Sequence, residues 1–121
     1  MRDLHDLAHR YVDMWNESDP EVRRMTIAEL FAPDVAHYTP MQEVHGQAEM
    51  EARVAGSYEK WVRPGTHVFR AVRNATGHHN AVRFNWEMVD IASGKVRNVG
   101  FDFVLLDQEG LIKSDHQFVD R

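Results

Sequence analysis

The spacing of apolar residues changes period near the middle of the chain. Across residues 2–16, Leu4, Leu7, Ala8, Tyr11, Val12 and Trp15 fall on one helical stripe, which predicts an amphipathic helix. "SDPE" at 18–21 restarts the chain: Ser18 with Glu21 three residues on reads as a capping box, and Pro20 suits a first helical turn. The second helix predicted from there runs to about Phe31, with Val22, Met25, Leu30 and Phe31 on its apolar side. "FAPDVAHYTPMQEVHG" carries two prolines and predicts a short strand near 35–38 followed by a loop. A third helix is expected over 47–61, where Met50, Val54, Tyr58 and Trp61 recur at steps of three and four before Pro64-Gly65 stops it.

Beyond that point the period is two. "HVFRAVRNA" (67–75), "NAVRFNWEMVDI" (80–91), "VRNVGFDFVLLD" (96–107) and "LIKSDHQFVD" (111–120) alternate or run apolar, separated by the turn signals "TGHHN", "ASGK" and "DQEG". Links this short imply antiparallel hairpins. The expected class is α+β: three helices on one face of a curved, mostly antiparallel sheet, in a single domain over 1–121.

Composition narrows the partners. A net charge of −5 with scattered arginines gives no basic footprint for nucleic acid or for an anionic membrane surface. The chain has no cysteine, so disulfides, thiolate metal ligation and a thiol nucleophile are excluded. "MRDLHDLAHR" lacks an apolar signal core and no stretch approaches a membrane span, so a cytoplasmic location is expected. With no phosphate-cradling glycine loop and no nucleophile elbow, nothing calls for a cofactor.

Candidate chemistry starts from Asp102, a carboxylate between two phenylalanines in "GFDFVLLDQEG". On a strand, Gly100, Asp102, Val104 and Leu106 share one face. If that face is covered by helices, desolvation raises the carboxyl pKa, and a neutral acid can donate a hydrogen bond. Tyr11 on the first helix could add a second donor, and two donors aimed at one oxygen form an oxyanion hole. The plainer readings are a core tyrosine and a solvent-facing aspartate. His37 and His116 are candidate proton carriers, since imidazole titrates near neutral pH. For the last strand, counting alternation from Ile112 and Phe118 favours His116 over Asp115 as the inward residue. On "RFNWEM", Phe84, Trp86 and Met88 share a face expected to line a pocket with Trp15, Tyr58 and Trp61, while Arg83, Asn85 and Glu87 face outward. His5 and His9, four apart, read as a surface pair.

"RYVDMWNESDPE", "LFAPDVAHYTP", the "HG" before helix three and "GFDFVLLDQEGLI" resemble the nuclear transport factor 2-like superfamily, which includes ketosteroid isomerases, SnoaL-like polyketide cyclases and limonene epoxide hydrolases. The resemblance spans nearly the whole chain and implies a cone: a sheet curled around helices, a pocket open at one end, and pairing of two copies through the outer sheet face. The oxyanion tyrosine of the ketosteroid isomerases matches Tyr11 in "RYV". Their protonated aspartic acid, eight residues before a hairpin glycine, matches Asp102, eight before Gly110; an acid kept neutral by an apolar site is their established pattern. Their general base lies in an Asp-Pro dipeptide that here is Thr39-Pro40, and threonine cannot take a carbon-bound proton. Aligned to those isomerases, Asp115 and Gln117 line the pocket, against the alternation count. The acid–base aspartate of SnoaL-like cyclases is nearest to Asp120, and Arg83-Phe84-Asn85 is a faint echo of the epoxide hydrolases. The function implied is a pocket for a small apolar carbonyl compound, with isomerase or cyclase chemistry by acid and base. The alternatives are a binding module without turnover and a dimeric adaptor, with an epoxide hydrolase behind them.

Overall fold

The computed structural model describes residues 3–120. Helices α1 (Leu4–Met14) and α2 (Pro20–Leu30) are followed by strands β1 (Phe31–Tyr38) and β2 (Glu43–His45). Helix α3 (Gly46–Ser57) runs on through a π turn at Tyr58–Val62 and leads to β3 (His67–Ala71), β4 (Thr76–His78), β5 (Ala81–Asp90), β6 (Val96–Leu106) and β7 (Ile112–Asp120). The three helices and the change of period stand where the sequence put them. The first residue of the helix expected from Arg2 lies outside the described residues.

Local chemistry explains the boundaries. Asp3 caps α1 by accepting from the amides of His5 and Asp6. Asp19, not Ser18, caps α2: its carboxylate stands directly before Pro20 and accepts from the Glu21 amide at 2.9 Å. The segment after Tyr38 is more than a loop. Thr39 closes a tight turn by accepting from the amides of Met41 and Gln42, and β2 then pairs back on β1. The strand expected over 67–75 is broken after Ala71, because the Asn74 side chain occupies both the amide and the side-chain carbonyl of Asn85. Pairing with β5 resumes at β4.

The sheet order is β2-β1-β7-β6-β5-β3, with β4 also on β5. It is antiparallel except where β7 lies parallel to β1, which closes the meander onto the strand between α2 and α3. The helices cover one face. Leu7, Tyr11, Val12, Ile27, Leu30, Met50 and Val54 pack there against Phe31, Val35, Phe84, Val104 and Ile112, all buried. Complete burial of a side chain of this size contributes roughly 1.5–3 kcal/mol. Asn16, just past α1, both donates to the Phe69 carbonyl and accepts from its amide, tying the helix end to β3.

Candidate functional site

Three adjacent strands aim polar side chains into this covered face. Cross-strand pairing puts His37 of β1 beside Asp115 of β7, and Gln117 of β7 beside Asp102 of β6. None is more than 8% exposed, and His37, Asp102 and Asp115 are fully buried. Tyr11 descends from α1 onto them. Its hydroxyl oxygen lies 2.6 Å from Asp115 Oδ2 and 2.9 Å from Asp102 Oδ2. His37 Nδ1 is 2.8 Å from the same Asp115 oxygen. Trp86 Nε1 donates to Asp102 Oδ1 at 2.7 Å, with Gln117 Nε2 at the edge of bonding distance, 3.5 Å.

The Trp86 bond depends on Gly100, its direct cross-strand partner. A Cβ at Gly100 would run into the six-membered ring of the Trp86 indole. The missing side chain lets the indole lie across β6 and reach Asp102, two residues along. Here the sequence needs glycine for room, not for an unusual backbone.

Counting protons fixes the charge states. The Tyr11 hydroxyl has one hydrogen and two carboxyl neighbours. It donates along the shorter contact, to Asp115. The contact to Asp102 is then a hydrogen bond only if Asp102 is a neutral acid donating from Oδ2. The Oδ1 atom fits this state, since it accepts from Trp86 and Gln117. Burial pushes the Asp102 pKa well up, and the Asp115 charge pushes it further. Burial also raises Asp115, but the bonds from Asp102 and Tyr11 and the Arg53 charge pull against it, so Asp115 carries the negative charge. Burial lowers His37 to about 4, which leaves a neutral ring donating from Nδ1 to Asp115. The Tyr11 phenol is held well above its ordinary pKa, first by burial and then by the two carboxyl groups beside it, of which Asp115 is the charged one, so it stays protonated.

Above this network opens a cavity of about 710 Å³, within the range of small-molecule sites. Tyr11, Trp86 and Gln117 border both the network and the cavity, whereas Asp102, Asp115 and His37 lie behind them and do not reach the lining. The arrangement can therefore present a phenol O–H to an oxygen atom in the cavity once that hydrogen swings away from Asp115, with the Asp102 acid still donating to the phenol oxygen.

The residues singled out from sequence divide as follows. Trp15, Trp61, Trp86 and Met88 line the cavity. Phe84 faces the same way but is sealed beneath Tyr11, ring centroids 5.2 Å apart, and Tyr58 instead packs under the Arg23 guanidinium. His116 is corrected: it lies on the opposite, exposed face, its ring against Tyr38, and Asp115 and Gln117 take the inward positions. The cause is a register shift at the start of β7, where Leu105 pairs with Ser114 but Leu106 with Ile112. The extra residue inverts the alternation that Ile112 starts. Asp120 is exposed and stands apart from the network, and Asn85 is engaged with Asn74 and the Gly100 carbonyl. Sequence reasoning missed Arg53 and Arg97, which also line the cavity. The available signal was Arg53 beside the Met50–Val54 stripe of α3.

The SnoaL-like domain family matches residues 8–114. No curated protein matches the chain. Among solved structures, a candidate isomerase of the SnoaL-like family from Agrobacterium tumefaciens superposes with a TM-score of 0.87 at 27% identity, over 98% of this chain and 97% of that one. A candidate ketosteroid isomerase from Kribbella flavida superposes at 0.70 with 19% identity, over 98% of this chain and 78% of that one. A candidate polyketide cyclase from Sinorhizobium meliloti gives 0.68 with 13% identity over 93% of each chain, and these last two likenesses speak to fold alone. The matched span takes in Tyr11, His37 and Asp102, and with it this chain belongs to the SnoaL-like family, within the nuclear transport factor 2-like superfamily.

Proposed function

We propose that the chain binds a small, largely apolar carbonyl compound in the cavity and acts on it by acid–base chemistry of the isomerase or cyclase kind. One observation carries this reading: Tyr11 lines the cavity while its hydroxyl is bonded at 2.6 and 2.9 Å to two buried aspartates. Tyr11 meets the substrate oxygen by turning its single hydrogen from Asp115 to the substrate. Asp102 acts through it, because a proton given or partly given by the phenol is replaced from the neutral acid behind it. This modifies the sequence expectation, in which Asp102 and Tyr11 met the oxygen side by side. His37 is a positioning residue that orients Asp115. Removing a donor aimed at developing oxyanion charge costs about 10²–10³ in rate. Tyr11→Phe is therefore expected to lower turnover of an enone or β-dicarbonyl substrate by at least about 10² while leaving the fold intact by circular dichroism. Unchanged turnover in that variant would overturn the catalytic reading.

A second reading, binding without turnover, has its own support. No carboxylate or imidazole is among the described cavity-lining residues, and Thr39, at the position of the isomerase base, lines the cavity as a turn-former. Under it, carbonyl ligands bind in a Tyr11-dependent way and emerge unchanged. In either case the outer sheet face is proposed to pair two copies of the chain, and the site is proposed to work in the cytoplasm without a cofactor.

A further inference from the structure

The charges around the cavity select its ligand. Among the described lining residues only Arg53 and Arg97 are ionic, in a chain whose net charge is −5. Neither forms an ion pair with a carboxylate among the described residues, whereas Arg10, Arg24, Arg63 and Arg70 all do. Arg53 is held by one flat face and one terminal nitrogen: its guanidinium lies over the Trp15 ring, 4.9 Å from the centroid, and the nitrogen donates to Gln117 Oε1 at 3.1 Å. Its Nε is buried and has no partner. Arg97 lies over Trp61 at 5.1 Å, nearer the open side.

Arg53 is not the missing partner of the aspartates beneath it. Gln117 stands between, accepting from Arg53 and reaching Asp102 with its amide nitrogen. Burial lowers the Arg53 pKa, and of the acidic groups near it only Asp115 is charged, so the positive charge of Arg53 is under-compensated. With Asp102 and His37 neutral and Asp115 negative, the two arginines leave the lining and the network beneath it with one net positive charge.

We propose that the ligand is an organic acid: an aromatic or alicyclic carboxylate whose anionic group is held by the terminal nitrogens of Arg53, with Arg97 drawing it in. The planar end of a guanidinium matches a carboxylate in two-point contact, and the flanking indoles match a flat apolar body. This rests on the cavity being the ligand site, and it names the substrate class for that site.

All three tryptophans of the chain line the cavity, so intrinsic fluorescence reports its occupancy. The test titrates naphthalene-2-carboxylate and its uncharged amide, naphthalene-2-carboxamide, into the protein at neutral pH. The carboxylate is expected to bind at least about tenfold more tightly, as a charge-assisted hydrogen bond would give. Arg53→Met, which keeps a stem to pack on Trp15, is expected to abolish that preference while still binding the amide. Arg53→Lys is expected to retain part of it. Equal binding of the two probes to the unaltered protein would overturn the inference and leave the pocket standing, as would a preference that survives in Arg53→Met. Failure of both probes to bind up to millimolar concentration would overturn the pocket reading and this inference with it.

Discussion

The two faces of the β6–β7 ladder are opposite in a sense contrary to ordinary hydrophobic sorting. The covered face carries Asp102 and Asp115, both fully buried, and Gln117 at 7% exposure. The outer face of the same strands carries Phe103 at 38% and Phe118 at 52%, with Phe101 packed on Phe118. Burying polar groups costs free energy unless each finds a partner, and half-exposed aromatic rings leave apolar area in water that burial would stabilise. A ladder that does both is shaped by something other than its own stability. Inside, that is the hydrogen-bonded floor of a cavity. Outside, it is the surface proposed above to meet a second copy.

Within the covered face the sharpest contrast is between the two aspartates, which are treated differently although both are buried. Asp115 is the charged acceptor for His37 and Tyr11, and Asp102 is the neutral donor. The largest effect is expected from removing the acceptor. Asp115→Ala leaves the His37 N–H and the Tyr11 O–H without their partner in a dry interior, a loss of about 4 kcal/mol in chemical denaturation. Asp102→Asn should differ from the unaltered protein by no more than about 1 kcal/mol, because an amide reproduces a neutral acid: its oxygen accepts from Trp86 and its nitrogen donates to Tyr11. Equal losses at the two positions would break the assignment of the single negative charge to Asp115.

The pH dependence of stability sharpens the same contrast, because His37 and Asp102 pull in opposite directions. A histidine in the unfolded chain titrates near 6.5, and His37 at about 4 in the fold. Between those values the unfolded chain holds the extra proton, so His37 makes stability climb with rising pH, by about 3 kcal/mol in all. Asp102 is raised, so above the ordinary carboxylate range the folded chain holds the extra proton. Its contribution is present in acid and drains away as the pH rises. Asp102→Asn deletes the draining contribution alone, so denaturation between pH 4 and 6.5 should show a steeper climb than in the unaltered protein. His37→Asn should flatten the climb. An unchanged slope in Asp102→Asn would mean that the acid is ionised in the fold.

These contrasts were unequally legible in the amino-acid order. The helical stripes and the period-two half specified the α+β layers, because periodicity reports which face is covered. Tyr11 and Asp102 stood out as a phenol on an apolar stripe and a carboxylate in an apolar strand. The inward residues of β7 did not, because one extra residue near Lys113 inverts the alternation and its pairing partner is distant in sequence. That Trp86 donates to Asp102 was hidden as well. It requires the pairing of Trp86 with Gly100, and register across a hairpin is a property of two strands together. Arg53 escaped because a long cationic side chain beside a helical stripe ordinarily reaches solvent, and only the curl of the sheet around α3 shows that this one borders a cavity.

The smallest effect is expected on the outer face, where it tests whether the exposed rings serve a partner. Phe118 is half exposed and its main aromatic contact is Phe101, ring centroids 6.0 Å apart. With little buried area to lose, Phe118→Gln should change the stability of a single chain by no more than about 1 kcal/mol. The cavity lies on the other side of the sheet, so binding of the naphthalene probes should not move. If the outer face pairs two copies, the substitution puts an amide at the centre of an apolar contact. Sedimentation should then show a dimer for the unaltered protein and a species of half the mass for the variant at the same concentration. A monomer in both cases would leave the inner face as the one part of the ladder shaped for a ligand, and would remove the pairing proposed for the outer one.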